Sequence, residues 1–175
     1  MTSRVRSRPG FLLAGVQAAL ILSTAAMFWF DRQISPRAWV PTEPVDPNLP
    51  IRGRYITLNM VVPLRSNSLK TSDGDLLNTR QKVHLVAVGD RLIAHIDDQA
   101  KYNLIDGSIR RNGDDLAVNP DHELAFFIPP DVQDPSIQPD GRTLWVEVTV
   151  PRFGAPRPIQ LGFEANGLIQ PLRLR

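Results

Sequence analysis

The chain has 175 residues, and its 20 lysines and arginines nearly balance its 18 aspartates and glutamates, with no cysteine at all. The absence of cysteine excludes thiolate zinc sites, disulfide scaffolds and thiol catalysis. Three of the 20 basic residues (Arg4, Arg6 and Arg8) lie in the first ten positions, which leaves 17 against all 18 acids. A near-neutral domain with scattered cations is a poor phosphate binder, so the composition argues against nucleic-acid binding.

Residues 1–10 form a short basic tail, and the stretch from Phe11 to Phe30 contains no charged side chain. At ~1.5 Å of helical rise per residue this stretch spans ~30 Å, the thickness of the hydrocarbon core of a bilayer. The sequence therefore predicts a single-pass transmembrane helix at residues 11–30. The basic tail favours an N-terminus in the cytoplasm. The C-terminal part would then be periplasmic, with the helix in the inner (cytoplasmic) membrane, if the source is a Gram-negative bacterium.

Two other interpretations of this segment are open. Ser23 and Ala25 form a small-x-small pattern, which is also typical of a signal peptide cleaved after Ala25. Cleavage there would leave a mature chain beginning with the apolar residues Ala26 to Phe30, an unusual start for a soluble protein, so a retained anchor is favoured. A buried helix of a soluble core is the second alternative, but such helices are rarely apolar on every side at a chain end.

Between residues 31 and 50 the chain carries Pro36, Pro41, Pro44, Pro47 and Pro50. Proline has no backbone N–H, so it interrupts helices and is confined to the edges of sheets. The sequence predicts a stiff, partly polyproline-like spacer at residues 31–50, followed by a folded extracytoplasmic domain at residues 51–175.

Residues 51–175 show the alternation of apolar and polar side chains that is typical of half-buried strands. Strands are predicted at Tyr55–Val62, Val83–Val88, Leu92–Ile96, Leu124–Ile128, Leu144–Val150, Ile159–Phe163 and Leu168–Leu174. The pair Gly89-Asp90 suits a two-residue type II′ turn, and Asn166-Gly167 suits a type I′ turn. Pro171 places the last strand at an edge of the sheet.

The expected fold is mainly β, with one N-terminal transmembrane helix and a small antiparallel β sandwich or open barrel. Outside the anchor, helix is predicted only as a single turn near Asp114–Val118. The polar residues between Arg65 and Lys82 predict a long exposed loop. The spacing of the turn signals leaves both sandwich and barrel open.

The segment from Asp46 to Met60 reads DPNLPIRGRYITLNM. It resembles the signature block of the GDYXXLXY family of bacterial membrane-anchored proteins. Two positions differ from the motif, because Arg54 stands in place of its Asp and Met60 in place of its last Tyr. The residues that match the motif or its usual approach are Arg52, Gly53, Tyr55 and Leu58.

A second similarity lies at His122–Asp131, which reads HELAFFIPPD and resembles the family's later block of aromatic, apolar and proline residues. The family has no established activity, and its members are typically encoded beside multi-pass membrane proteins. The resemblance therefore implies a multi-pass membrane partner. From the residues alone, Gly53 permits a close backbone approach, and Tyr55 has both a ring to bury and a hydroxyl to bond. The motif residues are thus candidate partner contacts, or they simply begin a core strand.

Few residues indicate a metal site. His84 and His95 are expected to face each other across the hairpin around Gly89, as a zinc-binding or pH-sensing pair or as two ordinary sheet residues. His122 is far from both in sequence. The adjacent acids Asp97-Asp98 and Asp114-Asp115 are expected in loops or turns. Asp73, Asp75 and Asn78 resemble a calcium loop only loosely, without its Gly and terminal Glu. No metal or cofactor is predicted.

An anchor followed by a β domain is also the layout of signal peptidases, in which a lysine activates a serine. Ser35 lies just beyond the predicted helix, and Lys70 or Lys82 could serve as the base. Ser35 precedes Pro36-Arg37, however, and lacks the Met-x-Pro context of those enzymes. No Gly-x-Ser-x-Gly, P-loop or dinucleotide motif is present, so no catalytic residue is predicted.

The sequence favours a non-enzymatic accessory protein that is anchored in the membrane lipid bilayer and contacts a multi-pass membrane protein. A Ser-Lys envelope hydrolase is the first alternative, and a small-ligand or lipid-binding β domain is the second. A partner requires an exposed docking surface, a hydrolase requires a serine beside a lysine, and a ligand-binding barrel requires a closed apolar pocket.

Overall fold

The computed structural model describes residues 8–45, 55–65, 77–97, 99–129, 132, 134–136 and 142–174. The chain divides into two units, Met1–Ser35 and Pro36–Arg175. The first unit contains the helix α1 (Arg8–Ile34). The strands of the second unit are β1 (Arg37–Pro44), β2 (Tyr55–Met60), β3 (Val62–Pro63), β4 (Arg80–Val88), β5 (Arg91–His95), β6 (Leu104–Asn112), β7 (Asp115–Pro120), β8 (Leu124–Phe127), β9 (Leu144–Thr149), β10 (Arg157–Ala165) and β11 (Leu168–Pro171).

The helix α1 is long and apolar enough to cross a membrane, and its described side chains are all exposed. A helix in a soluble core buries at least one face, so the core-helix alternative is not supported. The hydroxyls of Ser23 and Thr24 both donate to the Leu20 carbonyl oxygen at 2.9 Å. These bonds satisfy the two hydroxyls within the helix, which lowers the free-energy cost of placing them in hydrocarbon.

The described strands form one open sheet in the order β11-β10-β9-β1-β5-β4-β6-β7-β3, with β2 paired to β1 and β8 paired to β2. The prediction of a mainly β chain with one apolar N-terminal helix is confirmed. A sandwich or barrel is not confirmed, because the strands belong to a single open sheet. The pairs between named strands are antiparallel except for β1 and β5, which meet in parallel at Trp39 and Arg91.

Strand β1 shows that the predicted spacer is wrong for Arg37–Pro44. This segment pairs with β9 along one side and with β2 and β5 along the other. Ala38 and Val40 point into the core and are 1% and 0% exposed. Burial of these alternating positions outweighs the missing N–H of Pro41, which is why a proline-containing segment forms a central strand. Residues 46–50 lie outside the described residues.

Both predicted tight hairpins are confirmed. Strands β4 and β5 pair from His84–His95 to Val88–Arg91, around a turn in which Gly89 has a φ of 62°. Strands β10 and β11 join at Asn166 and Gly167, whose φ values of 54° and 77° are both left-handed, as a type I′ turn requires. Strand β11 ends the sheet, so its Pro171 lies on an edge strand as predicted.

The helical turn predicted near Asp114–Val118 is wrong, because Asp115–Pro120 is strand β7 and forms a hairpin with β6. The turn between them contains Gly113 at a φ of 63°. Strand β6 was missed because Gly107 and polar residues obscure its alternation. Gly107 is buried, and a Cβ there would lie 2.7 Å from Val118 Cγ1, so only glycine fits the pairing. Most of the predicted loop Arg65–Lys82 lies outside the described residues, and its last three positions belong to β4.

Most of the buried apolar side chains of the sheet form one hydrophobic cluster. Thr42, one of its few buried polar residues, donates its hydroxyl to the Leu144 carbonyl oxygen at 2.9 Å across the β1–β9 pair. A buried hydroxyl needs such a partner, so this bond also ties the two central strands together.

Two substitutions within β1 test whether this segment is a core strand. Val40→Ala removes two buried methyl groups and is expected to lower the free energy of unfolding by about 1–3 kcal/mol. Glu43→Ala, at an exposed position of the same strand, is expected to change it by less than about 0.5 kcal/mol. Urea unfolding followed by tryptophan fluorescence, on the full-length protein in detergent, measures both. Equal, negligible effects would mean that this segment is a spacer after all.

Candidate functional site

Two of the four motif residues, Arg52 and Gly53, lie outside the described residues. The other two divide between the surface and the core. Tyr55 begins β2 and its side chain is 52% exposed, whereas Leu58 is fully buried, so the two point to opposite faces as the alternation predicted. Leu58 therefore serves the core, and Tyr55 is the described motif residue that is available to a partner.

The pairing of β2 with β8 brings together the two sequence blocks that carry the family resemblance. Tyr55 lies directly opposite Phe127 in the antiparallel register. Their ring centroids are 5.5 Å apart at an interplanar angle of 66°, an edge-to-face contact. Such contacts contribute about 0.5–1.5 kcal/mol beyond the burial of area. We call Tyr55 and Phe127 the edge pair.

Phe127 is 55% exposed, so the edge pair presents two large aromatic rings to solvent. Among the described strands, β8 forms strand pairing only with β2, and β10 also lies close to it without pairing. The outward side chains of these two strands carry no charge: Tyr55, Thr57, Asn59, Ala125 and Phe127. We call this surface the β8 edge. Exposed aromatic rings beside a strand that is paired along one side only are typical of protein interfaces and of strand addition.

A cleft of about 360 Å³ lies beside the facing ends of β1 and β9 and includes Glu43, Arg142 and Trp145 in its lining. The indole N–H of Trp145 is buried and has no hydrogen-bond partner among the described residues. The Arg91 guanidinium lies over the Trp145 ring at 4.2 Å and also contacts Glu164 at 3.1 Å. The charged lining distinguishes this cleft from the closed apolar cavity that a lipid-binding domain needs.

A second cleft, of about 290 Å³, contains His122 and the ion pair between Arg80 and Asp121 at 2.6 Å. Arg80 is largely exposed, and exposed ion pairs contribute little to stability. His122 lies just after β7, outside the β4–β5 hairpin that carries the other two histidines.

The predicted contact between His84 and His95 is confirmed, because the two residues are paired across the β4–β5 hairpin and both are half-buried. Within the described residues, no group of three histidines or acids is positioned to hold a metal ion. Asp97 lies in the β5–β6 loop, where its carboxylate accepts the Gln99 N–H at 2.9 Å. Asp114 lies in the β6–β7 turn and Asp115 in β7, so they form no carboxylate pair on one face.

Other predicted candidates are only partly visible. Asp73, Asp75, Lys70 and Asp98 lie outside the described residues. Lys82 is exposed on β4, whereas a lysine that activates a serine is usually desolvated. Ser35 directly follows α1. The described geometry therefore gives no support to the pair of Ser35 with Lys82.

Comparisons with protein-family models, with curated proteins and with solved structures found no match. The resemblance of Asp46–Met60 to the GDYXXLXY signature therefore stays a prediction. What distinguishes the site is its geometry, in which an exposed tyrosine and an exposed phenylalanine from distant parts of the chain meet on an edge strand.

The different burial of Tyr55, on the surface, and Leu58, in the core, can be tested by mutation. Tyr55→Ala removes a half-exposed ring and one edge-to-face contact, so unfolding free energy is expected to fall by only about 1 kcal/mol. Leu58→Ala opens a cavity in the core and is expected to lower it by about 2–5 kcal/mol. Urea unfolding of the two variants measures the difference. An equally large loss for Tyr55→Ala would show that the tyrosine is needed mainly for folding.

Proposed function

We propose that this chain is a membrane-anchored accessory protein without catalytic activity of its own, and that its β domain binds a protein partner through the β8 edge. The observation that carries the proposal is the edge pair, in which Tyr55 and Phe127 are both more than half exposed while they contact each other. Large rings that are already ordered lose little conformational entropy on binding, which makes them effective anchors of an interface.

Backbone N–H and C=O groups of β8 would add a second contribution to binding at the β8 edge. A partner strand laid against β8 would receive main-chain hydrogen bonds from a strand that is paired along one side only in the described structure. The uncharged outward face avoids the desolvation of buried charges, which opposes association. The edge pair would then supply the side-chain specificity of the contact.

The expected partner is a multi-pass membrane protein. The resemblance of the Tyr55 and Phe127 blocks to the GDYXXLXY family implies such a partner, and α1 would confine both proteins to the same membrane. We propose that α1 spans the inner membrane with Arg4, Arg6 and Arg8 in the cytoplasm and the β domain in the periplasm, following the positive-inside rule.

The partner is sought by gentle detergent extraction of the tagged full-length protein from native membranes, followed by mass spectrometry of the proteins that co-purify. We expect one multi-pass protein in near-equal amount. The double substitution Tyr55→Ser and Phe127→Ser is expected to lose it while the domain stays folded, because both side chains are exposed.

The domain contains a matched control, a second exposed tyrosine–phenylalanine contact between Tyr102 and Phe153, with ring centroids 5.3 Å apart. Serine substitutions of that pair are expected to retain the partner. Recovery of the wild-type protein alone would reject a stable complex. Equal retention by both double variants would reject the β8 edge as the docking surface.

Orientation can be measured directly because the chain contains no cysteine. Single substitutions Ser3→Cys in the tail and Asp114→Cys in the exposed β6–β7 turn give one labelling site on each side of α1. In cells with a permeable outer membrane, a membrane-impermeant maleimide is expected to label Asp114→Cys and to reach Ser3→Cys only after lysis. Labelling of Ser3→Cys in intact cells, with Asp114→Cys protected, would invert the proposed topology.

A further inference from the structure

The second exposed aromatic contact of the domain lies between two loops. Tyr102 belongs to the β5–β6 loop and is 38% exposed, and Phe153 belongs to the β9–β10 loop and is 71% exposed. Their rings meet edge-to-face at 5.3 Å and 83°. We call these two residues the loop pair. Covering an exposed phenylalanine ring with another apolar surface is favourable, because it removes apolar area from water.

Backbone hydrogen bonds hold the loop pair in place. The Asn103 N–H donates to the Arg152 carbonyl oxygen at 3.1 Å, and the Leu85 N–H donates to the Asn103 carbonyl oxygen at 2.9 Å. The Arg152 guanidinium also lies over the Tyr102 ring, 3.7 Å from its centroid. The two loops are thus joined to each other and to β4, so the pair is a preformed surface.

This surface lies at the end of the sheet where the chain enters the domain. The Val150 N–H donates to the Pro36 carbonyl oxygen at 2.9 Å, two residues before Arg152. The helix α1 ends at Ile34 and β1 begins at Arg37, so only Ser35 and Pro36 connect them. Two extended residues reach only ~7 Å, so if α1 spans a bilayer, the start of β1 must be close to the bilayer surface.

We propose that the loop pair and the cations around it bind the headgroup layer of an anionic membrane. This inference rests on the proposed membrane anchoring of α1. Phe153 would enter the boundary between headgroups and acyl chains, and Tyr102 would lie at headgroup level, where amphipathic rings are enriched. Four exposed cations belong to the same segments and would attract anionic lipids: Arg37, Lys101, Arg152 and Arg157.

Charge favours a lipid surface as the occupant. Residues 36–37, 99–103 and 150–157 contain four cations and no acid, whereas Asp97 and Asp98 directly precede Gln99 in the sequence. The Asp97 carboxylate accepts the Gln99 N–H. Each lysine or arginine close to an anionic membrane contributes about 1 kcal/mol to binding, and long side chains can reach the headgroups while their stems stay on the apolar layer.

The proposal also places the partner's binding surface. Strand β2 runs antiparallel to β1, and its Leu58 lies opposite Pro44, the last residue of β1. Residues 55–57 of β2 therefore extend beyond the end of β1. At ~3.3 Å per residue, the edge pair lies on the order of 30 Å from the start of β1. The proposed docking surface at the β8 edge is therefore far from the start of β1, beside which the loop pair lies.

The test measures how close each end of the domain comes to lipid. The full-length protein carries a single Gln99→Cys labelled with the fluorophore NBD and is reconstituted into vesicles of phosphatidylethanolamine and phosphatidylglycerol. Lipids with a nitroxide near the headgroup are expected to quench this label strongly. The same label at Asp114→Cys, on the β6–β7 turn, is the comparison site and is expected to be quenched much less.

Adding Tyr102→Ser and Phe153→Ser to the Gln99→Cys protein is expected to abolish the excess quenching. The conservative variant with Tyr102→Phe and Phe153→Leu is expected to keep it, and vesicles without phosphatidylglycerol are expected to reduce it. Unfolding curves of the variants identify any loss of structure.

The outcomes separate this inference from the proposed function. If the protein inserts into the vesicles but Gln99 and Asp114 labels are quenched equally, or if the serine variant is quenched like the wild type, the lipid-binding surface is rejected while the docking proposal stands. A protein that fails to float with the vesicles rejects both the anchor and this surface. Loss of a co-purifying partner on substitution of the loop pair would assign the surface to a protein.

Discussion

The fold depends on the pairing of β1 on both of its sides. On one side β9 connects it to β10 and β11, and on the other side β2 leads to β8 while β5 leads to β4, β6, β7 and β3. β1 is therefore the strand at which the three parts of the sheet meet. Its buried residues Ala38 and Val40 belong to the same hydrophobic cluster as the strands on either side. Removing β1 from the sheet would leave no named strand connecting these parts.

Pro41 shows how a proline can occupy such a strand. Its carbonyl oxygen accepts the Val61 N–H at 2.9 Å, so its nitrogen, which points to the same side, also faces β2 and not β9. The neighbour of β1 on this side changes at Pro41. Before Pro41 it is the turn that precedes β5, where the Trp39 N–H donates to the Asp90 carbonyl oxygen at 2.7 Å, and after Pro41 it is β2. The missing N–H of Pro41 therefore removes one possible hydrogen bond on the side of Val61, next to the end of β2, and none to β9.

The same pair of residue types occurs in two different settings. The edge pair lies on two strands whose outward side chains carry no charge, beside a strand edge that is not paired in the described structure, whereas the loop pair lies among cations near the start of β1. A ring contact by itself does not select a partner. Backbone donors and the absence of charge favour a protein strand, and surrounding cations favour anionic headgroups. On this basis the two ends of the domain would have separate roles, one toward the membrane and one toward a protein.

The sequence by itself determined the features that a few neighbouring residues control. The apolar helix, the alternating strands and the turns follow from local backbone preferences, as at Asn166 and Gly167, where positive φ values suit no β-branched residue. Only the tertiary structure decided that Pro41 belongs to a central strand and that Tyr55 meets Phe127. Those pairings join residues far apart in the chain, and they form because the whole sheet buries its apolar faces together, a free energy that no local pattern contains.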